Sequence, residues 1–445
     1  MKNNKYNIKI RIPKEILNSI KEDLKRPHSF AYERVGFLFT KSKRLKNNTI
    51  LILGVDYSPI PDLDYIEDHK VGAKINADAI RMAMQSILDR KCGCFHVHLH
   101  EINGMPSPSF TDNNGIKGVL DSFSNISRTQ LNGMLILSED SLYASLKIPA
   151  EIKMFLPKLI TIIGYPMEFV FPQLDSKLKN DIFKRQSFLG ENNQFLFNNL
   201  TVGIVGYGGG GSHIGQQLAH LGIRNFNVFD DDNVEDSNLN RLLGAWFIDV
   251  KKSSLKINIA KRVINKIRPN AKVNAISARW QTDPESIQNC DVVFGCVDSY
   301  TERQQLESEC RRYLIPYIDI GMDVHKINNT SYSMSGQVIL SMPGSPCMHC
   351  FGFLTEEKLA KEASKYGDVG GRPQVVWPNG VLASTAIGVF VDLATGWSKQ
   401  KDNLVYLAYD GNLGTLNPHI RIKYAAKTCT HFLLKNTGPQ TFIKI

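Results

Sequence analysis

Residues 200–222 read LTVGIVGYGGGGSHIGQQLAHLG: a short apolar run, a glycine cluster, then apolar residues at helical spacing. A strand that turns sharply into a helix fits this order, and such a unit needs a parallel sheet covered by helices, so an α/β fold is predicted for this half of the chain. Gly206-x-Gly208-x-x-Gly211, with Gly209 beside it, lets backbone amides and a helix N-terminus approach phosphate. Asp230 closes the next apolar run, FNVFD, about where a ribose-binding acid belongs. A hydride-transfer enzyme would share all of this. The residues further along discriminate: DDDNVEDSNLNR carries Asp232, Asn238 and Arg241, Lys256 follows in SSLKINIAKR, and FGCVDSYTER ends another strand-like run with Asp298. Two cations and a second acid around phosphates suit an adenylating enzyme. There a carboxylate attacks the α-phosphate, pyrophosphate leaves, and the growing charge must be met by Arg, Lys and Mg²⁺.

These residues, over about 180–425, resemble the ThiF/MoeB and ubiquitin-activating enzyme family. The resemblance implies a Rossmann-like adenylating domain using ATP and Mg²⁺. In it Asp230 would hold the ribose, Asp232 and Asn238 would line the nucleotide site, and Arg241 and Lys256 would contact phosphates. Asp298 would serve magnesium and the reacting carboxylate. FKRQSFLG before the first strand is similar to the family's Arg-Gln segment, which implies that Arg185 reaches the other subunit's ATP in a homodimer.

The N-terminal half carries a second constellation, HVHLHEINGMPSPSFTD at 96–112. Side chains alternate along a strand, so His96, His98 and His100 share a face and two of them can reach one metal ion. With Asp112 they make three protein ligands and leave a position for water, the arrangement of catalytic zinc. Ser109 could hydrogen-bond a developing oxyanion, and Glu33 in YERVGFLF is a candidate general base. The set, with Gly36 after Glu33, resembles the JAB/JAMM metalloprotease family over roughly residues 5–165. That implies an α/β zinc isopeptidase acting on ubiquitin-like proteins. The family's proline after the second histidine is Glu101 here, and eight residues separate His100 from Ser109 where about seven are usual. The pair His96/His98 would leave ten, so His98 and His100 are the expected ligands and His96 the fallback.

Cys347-x-x-Cys350 has the spacing of half a structural zinc site, and the later partners open to it are Cys429 and His431 in TCTHF. The stretch 351–380, where the resemblance to ubiquitin-activating enzymes places a thioester cysteine, contains none. Either Cys350 or Cys347 is the nucleophile, or the adenylate passes directly to a partner's cysteine. Cys296 reads as a packing residue, and Cys92, Cys94, Cys290 and Cys310 show no pattern.

The expected domains are 1–172 (zinc isopeptidase), 173–180 (linker, from the polar PQLDSKLKN) and 181–445 (adenylating). The longest apolar stretch picked out, 159–171, is short of the ~20 residues of a membrane span, and MKNNKYNIKIRIPKE, polar throughout, is not expected to act as a secretory leader. With eight scattered cysteines, a reducing cytoplasm and no membrane are expected. Residues 1–50 hold 13 Lys and Arg against 4 Asp and Glu, yet aromatics do not interleave with them as a stacking platform would require, so nucleic acid is not the expected partner. The expected partners are a ubiquitin-like modifier and a ubiquitin-conjugating-like enzyme, in a bacterial pathway for which antiviral defence is one implied role. Activation of a sulfur carrier, or a silent modifier-binding scaffold, are the alternatives.

Overall fold

The computed structural model describes residues 5–68, 72–149, 151–173, 181–190, 192–364, 373–399, 404–426 and 428–439. The chain forms two compact units, Met1–Gly164 with Glu168–Asp175 and Leu433–Ile445, and Tyr165–Met167 with Ser176–Phe432. The expected second domain therefore does not run to the end of the chain: from Leu433 the backbone belongs to the first unit, where Leu434 packs on the core. Thr437 and Gly438 are buried as well, Gly438 against the side chain of Lys41. Residues 174–180, most of the expected linker, lie outside the described residues.

The first unit is a nine-stranded mixed sheet with helices against it. Its elements in chain order are β1 (Asn7–Pro13), α1 (Lys14–Leu24), β2 (Val35–Arg44), β3 (Thr49–Pro59), α2 (Ala77–Arg90) and β4 (Gly93–Leu99), then α3 (Phe110–Ile126), β5 (Asn132–Leu137), β6 (Leu142–Lys147), β7 (Met154–Phe155), β8 (Leu159–Ile163) and β9 (Glu168–Val170). The strand order is β7-β6-β5-β4-β2-β3-β1-β8-β9. Apolar residues of β1, β3, β8 and β4 (Phe95, Val97, Leu99) pack onto α1, and Val35, Phe37 and Phe39 of β2 pack with α2 and α3, so the sheet is buried on both faces. Lys9, Arg11 and Arg34 are buried too, so three of the cations counted at this end contribute nothing to a surface patch.

The register of β2 on β4 positions the site. These strands are antiparallel with Val35 opposite His98 and Phe37 opposite His96. Continuing that register two residues past the start of β2 brings Glu33 opposite His100, on the same face.

The second unit holds α4 (Asn193–Asn199), β10 (Thr201–Val205), α5 (Gly209–Leu221), β11 (Asn225–Phe229), α6 (Phe247–Lys251), α7 (Lys256–Ile267), β12 (Lys272–Ile276), α8 (Pro284–Gln288) and β13 (Val292–Gly295). After these come α9 (Tyr300–Arg312), β14 (Tyr317–Lys326), β15 (Tyr332–Ser341), α10 (Glu356–Ser364), α11 (Val376–Thr395), β16 (Tyr406–Asp410) and β17 (Thr415–Pro418). Strands β12-β11-β10-β13-β14 are parallel, and β15-β16-β17 continue the sheet antiparallel. Strand order reverses at β10, so the crevice outside the carboxyl ends of β10, β11 and β13 is where such a sheet binds ligands. Helix α11 is long and apolar enough to cross a membrane, a feature the sequence reading passed over. In this fold it buries Leu382, Ala383, Ala386, Ile387 and Phe390, which marks it as the core helix of the unit.

Candidate functional site

The candidate metal cleft is built by three elements. Strand β4 carries His98 and leads into His100, the loop before β2 carries Glu33, and α3 carries Asp112. Nitrogen or oxygen atoms of Glu33, His98 and His100 all lie within 4.8 Å of one another. Asp112 completes the group, with its oxygens 3.3 Å from His98 Nε2 and 3.6 Å from His100 Nε2. Ligands bonded at 2.0–2.1 Å in a tetrahedron sit about 3.4 Å apart, so the donor set fits zinc. His98 Nδ1 is buried without a hydrogen-bond partner among the described residues, and its buried Nε2 faces the Asp112 carboxylate, the position a metal would take between them. His96 is left out of the cluster. It lines the back of the cleft and packs on Phe37, and burial lowers its pKa to about 3, so it is a neutral wall residue and not a ligand of this set.

Electrostatics separate the two carboxylates. Burial pushes the Glu33 carboxyl up, against the pull of His98 and with the Asp112 charge reinforcing it, which suits a group that must pick up a proton. Burial also acts on Asp112, but the hydrogen bond and charge of His98 and the Ser109 contacts outweigh it and hold that carboxyl well below the usual range, as a ligand requires.

The Ser-x-x-Asp spacing turns out to be a helix cap. Ser109 Oγ accepts the Asp112 N–H at 3.1 Å while Ser109 N–H donates to Asp112 Oδ2 at 2.6 Å. Such a box is worth about 1 kcal/mol of helix stability and explains the spacing without catalysis. Accepting that bond leaves the Ser109 O–H to donate. The cleft, about 330 Å³, continues past Ser109 and Thr111 to Val35, Ile75, Ile116, Val119 and Met134.

Sequence reasoning missed what holds Glu33. Gly72 O accepts the N–H groups of both Tyr32 and Glu33 at 2.9 and 3.0 Å. A Cβ on Gly72 would fall 2.0 Å from Glu33 Oε1. Buried Arg34 anchors the same loop through the carbonyls of Arg26 and Pro27 and through Asp62. No local pattern marks these residues, because their partners are distant in sequence. Gly72→Ala should therefore keep the fold, since only the flexible end of a side chain must move. If the cleft is the zinc peptidase site expected from the sequence, the variant should keep its metal and lose peptide-bond cleavage on the order of 10²-fold, the scale of displacing a reacting group by about 1 Å. Thermal melting, metal content and cleavage of a modifier fusion check the three parts.

In the second unit the glycine turn closes β10 onto α5. Gly206 has φ +88°, and a Cβ there would meet Cys296 O at 2.5 Å; one on Gly211 would meet Gly206 O at 2.0 Å. A Cβ on Gly208 would touch nothing within 4 Å, so space stands open over the loop where phosphate would sit. Asp230, at the end of β11, takes the Tyr207 N–H of that turn at 2.6 Å and the Asp232 N–H at 3.0 Å. Lys256 Nζ pairs with Asp232 at 2.6 Å and lies 3.8 Å from Asp230. Asp230, Asp232 and Lys256 are thus brought to the turn.

Two expected residues are not. Arg241 bonds back to Ser237 O and to Asn240 Oδ1, folded onto its own loop. Asn238 is buried, and its Oδ1 accepts the Glu235 N–H, so it shapes the loop. Polar side chains in a tight turn satisfy nearby backbone first. Asp298 is exposed just before α9, beyond β13. Two residues outside the sequence reading flank it: Arg303, buried, donates to Val297 O at 2.5 Å and to buried Asp319, which also accepts the Tyr317 hydroxyl at 2.8 Å. Arg185 is exposed in the segment Asp181–Leu189.

Cys347, Cys350, Cys429 and His431 form a separate group with all donor atoms within 4.8 Å. Cys347 Sγ and Cys350 Sγ are 3.6 Å apart, and each is 3.5 Å from His431 Nδ1. Zinc–ligand bonds of 2.3 Å to sulfur and 2.0–2.1 Å to nitrogen give tetrahedral edges of about 3.8 and 3.6 Å, so this donor set also fits zinc. Hydrogen bonding to Cys429 and burial raise the Cys347 thiol, while that bond and the charge of Arg311 favour the Cys429 thiolate. Burial raises Cys350. Neither Cys347 nor Cys350 is set up as an activated nucleophile. Cys296 is half-buried, and desolvation pushes its thiol far up, in keeping with a packing role.

A parallel sheet with a glycine turn, a buried acid on the next strand and an adjacent lysine defines a nucleotide-binding domain of the Rossmann-like class. The chain belongs to the ThiF family, whose sequence pattern matches residues 183–431. It is 32% identical over 117 residues to a molybdopterin-synthase adenylyltransferase of Haemophilus influenzae, covering 26% of this chain and 47% of that protein. It is 29% identical over 178 residues to a SAMP-activating enzyme E1 of Haloferax volcanii, covering 39% and 62%. Both matches span less than two thirds of the relative. A solved structure of Escherichia coli MccB with AMPCPP and MccA is similar at a TM-score of 0.46 and 18% identity, over 59% of this chain and 76% of that one.

Proposed function

We propose that the chain is a bifunctional enzyme acting on one ubiquitin-like protein. The ThiF-family unit would adenylate the modifier's C-terminal carboxylate. A carboxylate oxygen bonds to the α-phosphorus of ATP, the bond from that phosphorus to the bridging oxygen breaks, and pyrophosphate leaves with the electron pair. Lys256 and the glycine-turn amides would meet phosphate charge, Asp230 the ribose, and Asp298 the magnesium beside the reacting carboxylate. Arg241 would have to swing off its loop to join them.

The first unit is proposed to be a JAMM-type zinc isopeptidase. His98, His100 and Asp112 would hold the zinc, which when bound supplies the Lewis acid for the scissile carbonyl. Glu33 takes a proton from the attacking water and passes it to the leaving amine. Ser109 Oγ–H donates to the carbonyl oxygen as charge grows on it. The observation that carries this half is the convergence of Glu33, His98, His100 and Asp112 from three elements, with the two carboxylates pushed apart in pKa.

A conjugating enzyme would receive the activated modifier, in a homodimer in the cytoplasm, and antiviral defence is one role such a pathway could serve. With Cys347 and Cys350 gathered into one donor set with Cys429 and His431, where a zinc-held thiolate would be a poor attacker, direct hand-off of the adenylate to the partner's cysteine is favoured over a thioester on this chain. The similarity to a molybdopterin-synthase adenylyltransferase favours a second reading of the same chemistry, with a sulfur carrier as the modifier. Metal analysis together with pyrophosphate exchange against candidate modifiers tests the proposal. The expected result is two zinc per chain, one lost in His98→Ala and the other in Cys350→Ser, with exchange that depends on one modifier. No zinc in the His98/His100 cleft would remove the peptidase half, and no exchange with any modifier would remove the other.

A further inference from the structure

Helix α10 lies against the N-terminus of α9, and the contact is unusual in kind. None of its nine residues is buried. It is held by two charged side chains. Lys358 donates to Phe353 O at 2.8 Å and lies over the rings of Phe353 and Tyr300, at 4.9 and 5.2 Å from their centroids. Glu362 reaches the first turn of α9. Its carboxylate accepts the backbone N–H groups of Tyr300 and Thr301, each at 2.9 Å, the Thr301 hydroxyl at 2.9 Å and the Ser299 hydroxyl at 3.2 Å. Ser299 in turn caps the helix by accepting the Glu302 N–H. The positive end of α9 is thus neutralised by an acid from another helix, directly after Asp298.

A nine-residue helix without buried side chains is not stable alone, so its docking rests on those polar contacts and opening costs little. While docked, it puts a third carboxylate, with Asp298 and Glu302, at the N-terminus of α9. A triphosphate or a C-terminal carboxylate entering there meets repulsion where the helix would otherwise attract it. We propose that α10 is an autoinhibitory strap: docked through Glu362 it holds the adenylation crevice in a low-affinity form, and its release exposes the N-terminus of α9 to the anionic substrates. The proposal rests on the nucleotide reading of this unit.

The test compares the full chain with Glu362→Gln and Lys358→Gln, the second loosening α10 without touching α9's backbone. Hydrogen exchange, with no ligand present, should show faster exchange of α10 amides in both variants and of the Tyr300 and Thr301 amides in Glu362→Gln. Binding of Mg-ATP should tighten about threefold or more in both variants at low salt, with the gain shrinking at high salt. Unchanged exchange, or Mg-ATP binding that is equal or weaker in both variants, would overturn the strap; the weaker case, with lowered melting temperatures, would make Glu362 a structural cap. Wild-type protein that does not bind Mg-ATP at all would overturn the nucleotide reading instead, and the ligand-free exchange tells these failures apart.

Discussion

Glu33→Ala is expected to lower cleavage of a modifier fusion on the order of 10³-fold, within the range that a positioned acid–base group contributes. Pyrophosphate exchange should stay within about twofold of wild type, because the proposed proton transfer in the cleft and the proposed adenylation at the glycine turn use disjoint residues. Metal content should also hold, since His98, His100 and Asp112 remain. The variant should melt no lower than wild type: the Glu33 carboxyl is raised by burial, and removing an ionisable group from such surroundings removes a cost. A protein with intact zinc and undiminished cleavage would show that Glu33 is not the proton carrier. Loss of both activities in a folded protein would show that the two units do not act separately.

The second large effect tests the proposed homodimer. Arg185→Ala and Asp298→Ala should each depress pyrophosphate exchange by about 10²-fold or more, the scale of losing one charge-stabilising group in an acyl- or phosphoryl-transfer site. Mixed under conditions where subunits exchange, the two inactive proteins should recover activity. Half of the dimers in an equal mixture are hybrids, and each hybrid has one site with both residues intact, so about a quarter of wild-type activity is expected. Isotope-labelled subunits in native mass spectrometry would establish that hybrids form. Hybrids without recovered exchange would place Arg185 in its own subunit's site, or outside any site.

Much of the candidate chemistry was legible because it follows local rules. A glycine that must adopt φ +88° next to a strand leaves few alternatives at Gly206, and strand alternation alone puts His98 and His100 on one face. Cys347-x-x-Cys350 announces half of a metal site by spacing, and Cys429 with His431 was the remaining pair that could complete it. Ser109-x-x-Asp112 shows the limit of such reading, because the same four residues spell a capping box. One spacing served two purposes.

What the tertiary structure decided are the relations between distant segments. Glu33 belongs with His100 only because β2 pairs with β4 in a register that puts Val35 opposite His98. Gly72 matters only because the loop bearing Glu33 folds onto its carbonyl. Arg241 and Asn238 carry the residue types of a phosphate site, yet the loop's own hydrogen bonds turn both inward. Arg303 and Glu362 read as ordinary helix charges in the sequence, and only the fold sets one against Asp319 and the other on the first turn of α9. Leu434, at the far end of the chain, packs on the first unit's core. Local backbone preference and side-chain periodicity are written into neighbouring residues, whereas pairing, burial and charge compensation depend on which surfaces meet, and the sequence specifies those only through the folded whole.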